Sequence, residues 1–296
     1  MTSLTLRCPA KINLTLDVTG RREDGYHTLA SIFQSVDVYD TLTLTVTEGT
    51  GIALRCETPG VPCDETNLAW RAAKAFLDTT GLARHVDIVL EKGIPSGAGM
   101  GGGSADAAGV LWGLDRLLET HLSDEQLRAV GVTLGADVPF LLTGGTALAE
   151  GIGEILKPLR PLPTTLPLVI VKGEAGISTP AAYRAIDALT DPPHPDVAGN
   201  VWAVETRQTD LLIETCGNLF EDAVDCADVD RAKQRLLEVG AACAVMTGSG
   251  AAVFGIFPEG TDDAALESAA ETLKKEFAFA QAAHPAPERF TVIREA

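Results

Sequence analysis

The feature of the sequence best suited to chemistry is a run of glycines, GIPSGAGMGGGSADAAG, at residues 93–109. Glycine loses the most conformational freedom on ordering, so such a cluster indicates that something approaches the backbone closely. The run follows a predicted strand and continues into helix-forming alanine. A strand, a glycine-rich loop and a helix N-terminus together form an anion site, because the first N–H groups of a helix lack partners within it and the helix dipole favours negative charge.

Three interpretations of this loop stay open from the residues alone. A flexible connection without a ligand is one, although the glycines exceed what a turn requires. A dinucleotide site is the second, because Gly97, Gly99 and Gly102 match GxGxxG, but the acidic residue near the expected distance, Glu119, ends a predicted helix instead of a strand. A nucleoside triphosphate is the third. The run lacks the GK[ST] of a Walker A loop, so a lysine for the phosphates must come from elsewhere. Ser104, at the helix start, could cap the helix or reach a phosphate or Mg²⁺.

Composition limits the classes of function. The chain has 296 residues, 46% hydrophobic and 22% charged, which predicts a globular protein of two domains. A net charge of −18 argues against nucleic acid or an anionic membrane as the main partner. An anionic substrate would need a local site of opposite sign, and neutral backbone dipoles of the glycine loop could provide it.

The termini and cysteines give no sign of export or of a metal site. The first residues, MTSLTLRCPAKINL, do not form a charged region followed by an apolar block, and no apolar run is long enough to span a bilayer. We therefore expect a cytoplasmic protein without a membrane role. The six cysteines contain no CxxC pair, which predicts reduced, buried thiols and no zinc site.

Strict alternation predicts the strands of the first half. KINLTLDV places Lys11 and Asn13 on a polar face opposite Ile12 and Leu14, which indicates a half-buried strand. DTLTLTVT and residues 86–90 predict two more strands, with GRREDGYH a turn. Helical spacing is seen at residues 68–76, at 110–118 and after a capping box at Ser123. GADVPFLL is expected to be a loop leading into an apolar strand, and TALAEGIGEILKPL to be two strands around a glycine turn.

The proline-rich residues 158–167 are our candidate boundary, giving an N-terminal ATP-binding kinase domain at 1–158 and a C-terminal substrate-binding domain at 159–296. The second half predicts a strand at 168–171, a helix opening at STPAAY, a variable surface loop at 191–199 and helices around Leu211, Phe220 and Leu236. Two strands around a TGSG turn, a helix at 262–277 and a last strand, FTVI, complete it. Early clustering of strands favours an α+β fold.

Four blocks of the sequence, in the same order, resemble the GHMP kinases: PAKINLTLDVTGRREDGYHTLASIFQSV, PSGAGMGGGSADAA, GADVPFLLTGGTALAEGIGE and MTGSGAAVFGIF. The first is closest to the branch that acts on a cytidylyl-methylerythritol in non-mevalonate isoprenoid synthesis. The resemblance implies a two-domain α+β kinase with its active site in the cleft between the domains. It also implies Mg-ATP as the donor and the 2-hydroxyl of the cytidylyl substrate as the acceptor.

The resemblance assigns catalysis to Lys11 and Asp137. Asp137 would be the base or would orient the acceptor hydroxyl, and the residues leave that choice open. An ammonium beside it would keep the carboxylate ionised and could stabilise the transferred phosphoryl group. Without the resemblance, Lys11 could be a surface lysine and Asp137 a turn or capping residue.

The resemblance also implies the binding residues. For the nucleotide these are Lys92 and Asn67 near the adenine, and the loop Pro95, Ser96, Gly97, Ala98, Gly99, Met100, Gly101, Gly102, Gly103, Ser104 and Ala105. For the acceptor they are Tyr26, His27 and Tyr183 around the cytosine, Asn13 on the face of Lys11, and Gly248 and Gly250 through their backbone. Without the resemblance, Tyr26 could be an ordinary loop tyrosine, His27 a solvated histidine, and residues 248–250 a tight hairpin.

Two departures from the family pattern occur at the loop. Ala98 stands where glycine is commoner, and Asp106 where asparagine is frequent. The nearest rival function is another GHMP kinase with a mevalonate-like or homoserine-like acceptor, and the GYH block at residues 25–27 argues against it. A catalytically silent nucleotide sensor and an NAD(P)-linked oxidoreductase are rivals from other classes. The oligomeric state stays open, with a weak homodimer as one alternative.

Overall fold

The computed structural model describes residues 2–286 and 289–296. The strands, in chain order, are β1 (Thr2–Arg21), β2 (His27–Thr47), β3 (Gly51–Cys56), β4 (His85–Glu91), β5 (Thr146–Glu150), β6 (Ile155–Pro158), β7 (Leu168–Lys172), β8 (Gly217–Asn218), β9 (Cys243–Met246), β10 (Ala252–Ile256), β11 (Phe279–Ala283) and β12 (Thr291–Glu295). Among these residues they form an eight-stranded and a four-stranded sheet. Together with the helices they confirm the predicted α+β architecture.

The helices are α1 (Leu68–Thr80), α2 (Gly102–Leu117), α3 (Asp124–Val132), α4 (Val138–Thr143), α5 (Thr179–Ile186), α6 (Val197–Thr206), α7 (Thr209–Thr215), α8 (Phe220–Ala223), α9 (Ala227–Glu238) and α10 (Asp263–Leu273). Both hydrogen bonds of the predicted capping box are present at the start of α3, where Ser123 and Gln126 cap each other. Within the residues described, no helix combines the length and apolar character needed to cross a bilayer.

The larger sheet is built on the long hairpin of β1 and β2. Its order is β12-β1-β2-β4-β3, with β5 and β6 joined at β2 and β8 at β1. The predicted half-buried character of β1 is wrong, because the polar residues Lys11, Asn13 and Thr15 are as buried as the apolar ones. The apolar residues of β1 lie in the core with α2, whereas Asn13 is covered by the turn between β9 and β10, to which it is hydrogen-bonded.

The smaller sheet has the order β11-β7-β10-β9 and is antiparallel throughout. Helices α9 and α10 pack on it through a second apolar cluster. The last strand, β12, returns to the edge of the larger sheet beside β1. Residues after 158 therefore contribute to both sheets, and the proposed domain division remains a prediction.

Several predicted elements differ from those observed. The apolar run predicted as a strand after Asp137 is helix α4, which Pro139 favours in its first turn and Gly144, at φ +70°, ends. Strands β3 and β11 and helix α6 were not predicted. Helix α6 begins at Val197, within the predicted loop, and α10 ends before Phe277. All six cysteines are free thiols, but only Cys8 is buried, and Cys63 is exposed.

Candidate active site

The glycine loop encloses a small cavity at the start of α2. Gly97, Gly99 and Gly101 have φ values of +60°, +74° and +72°, in the left-handed region that favours glycine. The cavity has a volume of about 220 Å³ and is lined by Lys92 and residues 94–103. Gly101 occupies the N-cap position of α2 and no side chain caps the helix. The first N–H groups of α2 therefore stay available for an anion.

The same loop contacts the turn between β9 and β10 through its backbone. The N–H groups of Ala251 and Ala252 donate hydrogen bonds of 3.2 Å to the carbonyl oxygens of Gly97 and Ala98. Ala98, one of the two departures from the family pattern, is buried at this contact. The loop is thus held in shape by the protein itself.

Lys11 and Asp137 lie beside each other and against this loop. Lys11 Nζ is 3.8 Å from Asp137 Oδ2, and a methyl group on Gly101 would lie 3.3 Å from Lys11 Cγ and 3.6 Å from Asp137 Oδ2. Asp137 occupies the N-cap position of α4, yet its side chain makes no capping hydrogen bond. Its carboxylate, 31% exposed, therefore remains free to meet a ligand. Burial lowers the pKa of Lys11, and the nearby Asp137 carboxylate opposes that shift.

Asn13 fixes the position of the lysine. Lys11 Nζ donates to Asn13 Oδ1 at 2.7 Å, and the same oxygen accepts the N–H of Gly248 at 2.9 Å. The amide nitrogen of Asn13 donates to Ser31 Oγ at 2.8 Å. The Asn13 side chain therefore connects the first strand to the β9–β10 turn, and neither Ser31 nor the turn residue Thr247 was selected from the sequence.

A larger cavity of about 850 Å³ contains this pair. The predicted residues among those that line it are Lys11, Asn13, Tyr26, His27, Gly99, Gly101, Ser104, Asp137, Tyr183 and Gly248. Gly99 and Gly101 line the small cavity as well. The two cavities therefore meet at the glycine loop, close to Lys11 and Asp137.

Aromatic side chains form another part of the large cavity. The rings of His27 and Tyr183 stack with their centres 4.7 Å apart and their planes 18° from parallel. His27 Nε2 donates to Asp187 Oδ1 at 2.7 Å, and this hydrogen bond lowers the pKa of Asp187. Burial, with a contribution from the Asp137 charge, raises the pKa of Tyr183 to about 12. Tyr26 is 63% exposed at the same cavity. Asp187 had no recognisable signal in the sequence.

Four predicted binding residues have other surroundings. A methyl group on Gly250 would meet Ile177 and Met246, so this glycine packs inside the smaller sheet's cluster. The Asn67 side chain caps α1 by accepting the Ala69 N–H and donates to the Pro62 carbonyl. Ala105 is buried in α2. The ammonium of Lys92 pairs with Asp40 and Asp106, but Lys92 also lines the small cavity, so its place near the adenine stays a prediction.

The described residues, 2–286 and 289–296, contain no group of three or more His, Cys, Asp or Glu side chains able to hold a metal ion. Ser104 is one of the residues that line the large cavity. Mg²⁺ commonly keeps phosphate and water oxygens as ligands, so a site for it needs few protein side chains.

The fold and the glycine loop are those of a GHMP kinase. The model of the GHMP kinases N terminal domain matches residues 67–145, and that of the GHMP kinases C terminal domain matches residues 210–277. A homoserine kinase from Cytophaga hutchinsonii shares the fold, with a TM-score of 0.72 at 19% identity over 98% of this chain and 97% of its own.

More similar proteins narrow the family. A 4-diphosphocytidyl-2-C-methyl-D-erythritol kinase of Geobacter metallireducens is 44% identical over 87% of this chain and 90% of its own, and one of Clostridium acetobutylicum is 38% identical over 86% and 91%. A crystal structure of 4-(cytidine 5'-diphospho)-2C-methyl-D-erythritol kinase superposes with a TM-score of 0.79 at 35% identity, over 96% of this chain and 100% of the other. The chain belongs to the 4-diphosphocytidyl-2-C-methyl-D-erythritol kinase family.

Proposed function

We propose that this protein transfers the γ-phosphoryl group of ATP to the 2-hydroxyl of 4-diphosphocytidyl-2-C-methyl-D-erythritol. One observation carries the proposal. Lys11 and Asp137 meet in a cavity that also contains the His27–Tyr183 stack and adjoins the glycine-loop cavity at Gly101. Family membership at 38–44% identity supports this acceptor over that of another GHMP kinase.

The glycine loop binds the polyphosphate of ATP in this proposal. Backbone N–H groups of the loop and of the first turn of α2 contact the phosphates, and the helix dipole adds a favourable field. A Mg²⁺ ion bound with the nucleotide would neutralise charge on the phosphates and would need few ligands from the protein. Ser104, which lines the large cavity at the start of α2, would contact this ion through its hydroxyl.

Lys11 and Asp137 act on the acceptor hydroxyl. The hydroxyl oxygen forms a bond to the γ-phosphorus while the bond from that phosphorus to the bridging oxygen breaks, and ADP leaves with the bonding pair. Asp137 orients the hydroxyl and takes its proton, which then passes to solvent. Lys11 stabilises negative charge on the transferred group.

The aromatic end of the cavity binds the cytosine. The His27–Tyr183 stack and the exposed Tyr26 offer ring surfaces to the base. His27 Nε2 is hydrogen-bonded to Asp187, so Nδ1 is the ring nitrogen that would bond the base edge. An acceptor the size of mevalonate or homoserine would leave this part of the cavity unused.

An acceptor screen tests the proposal. The wild type is incubated with Mg-ATP and, in turn, the cytidylyl acceptor, its methylerythritol 4-phosphate portion without the cytidylyl group, mevalonate and homoserine, and ADP release is followed together with product mass. We expect the kcat/KM for the cytidylyl acceptor to exceed that for each other acceptor by at least ~100-fold, because the other acceptors have no base to stack on the aromatic rings or to form hydrogen bonds. Equal use of a small acceptor would reject the proposal, and ATP binding without acceptor-stimulated ADP release would favour a nucleotide sensor.

A further inference from the structure

A buried ion cluster of three side chains, Asp40, Lys92 and Asp106, lies beside the glycine loop. Lys92 Nζ pairs with Asp40 Oδ2 and lies 2.5 Å from Asp106 Oδ2. The Lys92 side chain is 9% exposed, that of Asp106 3% and that of Asp40 fully buried. Two aspartate side chains thus share one ammonium with little exposure to water, an arrangement that rarely stabilises a fold by itself.

The cluster holds the start of the glycine loop. Asp40 Oδ1 accepts the backbone N–H groups of Gly93 and Ile94, at 2.8 and 2.9 Å. These two residues come directly after Lys92 and lead into the loop. Carboxylate hydrogen bonds to backbone N–H groups are among the stronger ones in proteins, so Asp40 fixes the direction in which the loop begins.

The cluster also holds the end of the loop. Asp106 belongs to the first turns of α2, whose N-terminus the loop forms. Its pairing with Lys92 connects that helix to Asp40 in β2. Both ends of the loop are therefore tied to one set of charges, while the residues between them line the small cavity.

The cluster contains one carboxyl group that holds its proton into the neutral range. Burial raises the pKa of Asp106 to about 8, with the Lys92 ammonium opposing the shift and the Asp40 carboxylate adding to it. The Cys8 thiol of β1 faces the same groups, and burial raises its pKa too, so it stays neutral. Lys92 stays charged, because the attraction of Asp106 and Asp40 outweighs the effect of burial and raises its pKa. Loss of the Asp106 proton therefore adds one buried negative charge near the N-terminus of α2.

We propose that Asp40 and Asp106 are positioning residues for the nucleotide, which clamp the two ends of the glycine loop through Lys92. A negative charge on Asp106 beside the loop would repel a polyphosphate, so we expect binding to weaken when Asp106 ionises. The inference rests on the proposed function only in that the loop binds a nucleotide. It does not depend on the acceptor.

The test measures the Kd of a non-hydrolysable Mg-ATP analogue by calorimetry at pH 7 and pH 9. Wild type is compared with Asp40→Asn, Asp106→Asn and Asp115→Asn. Asp115 is a matched control, because it lies at the other end of α2 and also accepts a backbone N–H, that of Leu122. Thermal unfolding of each variant verifies that it is folded. Adenosine, which has no phosphate, is the second probe.

We expect Asp40→Asn to raise the analogue Kd about tenfold at both pH values, since it weakens a charged clamp on the loop. Wild type should bind the analogue roughly 3- to 10-fold more weakly at pH 9 than at pH 7, whereas Asp106→Asn should show no such change. Adenosine binding should not depend on pH in either protein, and Asp115→Asn should match wild type throughout.

Two results would overturn the clamp: unchanged analogue binding by Asp40→Asn, or the same pH dependence in Asp106→Asn as in wild type. If Asp40→Asn does not fold, the analogue Kd of wild type and Asp106→Asn at the two pH values decides whether the proposal holds. Failure of the cytidylyl acceptor in the screen leaves these measurements valid, whereas a wild type that binds no nucleotide would overturn the clamp and the proposed kinase together.

Discussion

Gly99 and Thr247 approach each other so closely that a methyl group on Gly99 would lie 2.1 Å from the carbonyl oxygen of Thr247. Gly248, the next residue of the turn, is also close to the loop, because a methyl group on Gly248 would lie 2.7 Å from the Gly99 carbonyl oxygen. The glycine loop of the larger sheet and the turn of the smaller sheet are therefore joined by backbone contact. The packing of the protein therefore requires glycine at both positions.

The contact with Thr247 predicts different effects for alanine substitutions at Gly99 and Gly97. Gly99→Ala should destabilise the protein by more than ~2 kcal/mol and raise the KM for ATP, because the methyl group collides with backbone that cannot move aside. Gly97→Ala is the matched control. Its φ is also positive, at +60°, but nothing lies within 4 Å of the added methyl group, so only the left-handed strain of about 1–2 kcal/mol applies. Denaturant unfolding measures both, and equal losses would show that the contact with Thr247 is unimportant.

Lys11→Ala should lower kcat by about 10²–10⁴-fold while the protein stays folded. The fold is expected to tolerate the change because Asn13 Oδ1 keeps the Gly248 N–H as a donor. Lys157→Ala removes a lysine from an exposed ion pair with Glu150 and serves as the control. Steady-state kinetics and circular dichroism provide the measurement. A kcat near that of wild type would remove Lys11 from the chemistry.

Asn13→Ala should affect both stability and rate. The change leaves the buried Gly248 N–H without its acceptor, at a cost of about 1–3 kcal/mol, and removes one donor to Ser31 Oγ, which still donates to the Thr15 carbonyl. It also removes the oxygen that orients Lys11, so kcat should fall by roughly tenfold or more. Unfolding in urea and kcat at saturating substrates test the two effects. Normal kinetics in a destabilised protein would limit Asn13 to a structural role.

Asp187→Asn should weaken the acceptor site selectively. The carboxylate holds His27 in its stack with Tyr183, and the neutral amide holds it less firmly. We expect the KM for the cytidylyl acceptor to rise about 3- to 10-fold with the KM for ATP unchanged. Asp78→Asn, in an exposed pair on α1, is the control. A rise in both KM values would instead point to a general loss of structure.

Stability should fall with rising pH because of Asp106. Its pKa is raised to about 8 in the folded protein, so the folded state binds a proton that the unfolded chain has already released. This contribution is complete below the pKa of the unfolded chain and is lost as the pH rises through 8. Between pH 6 and pH 9 the wild type should lose on the order of 2 kcal/mol more than Asp106→Asn. Urea unfolding at both pH values measures the difference, and equal losses would contradict the assignment.

Sequence patterns predicted the elements whose signals are local. The alternating strand at residues 41–47 and the capping box at Ser123 depend on neighbouring residues only, and the structure has both. The strand prediction for the apolar run from Val138 is wrong because a short apolar run has no period that distinguishes strand from helix. Its proline in the first turn and the glycine that ends it were the better signals.

The remaining features depend on residues far apart in the chain. Burial of the polar face of β1 comes from the turn at Thr247, which lies 234 residues after Asn13. Asp40 begins a regular alternating stretch, and nothing local connects it to Lys92, 52 residues later. The proximity of Lys11 and Asp137 was expected only through the family resemblance. Composition and spacing alone could not show it, because it is a product of the tertiary fold.

The most direct test of the account is the rate of a single turnover in Asp137→Asn. Enzyme in excess, with Mg-ATP bound, is mixed with the cytidylyl acceptor and the labelled phosphoryl group is followed into product. We predict a rate about 10²–10⁴-fold below that of wild type, with the Kd of the ATP analogue changed less than about threefold. Transfer at the wild-type rate by a folded Asp137→Asn protein would contradict the claim that the Lys11–Asp137 pair acts at the acceptor hydroxyl.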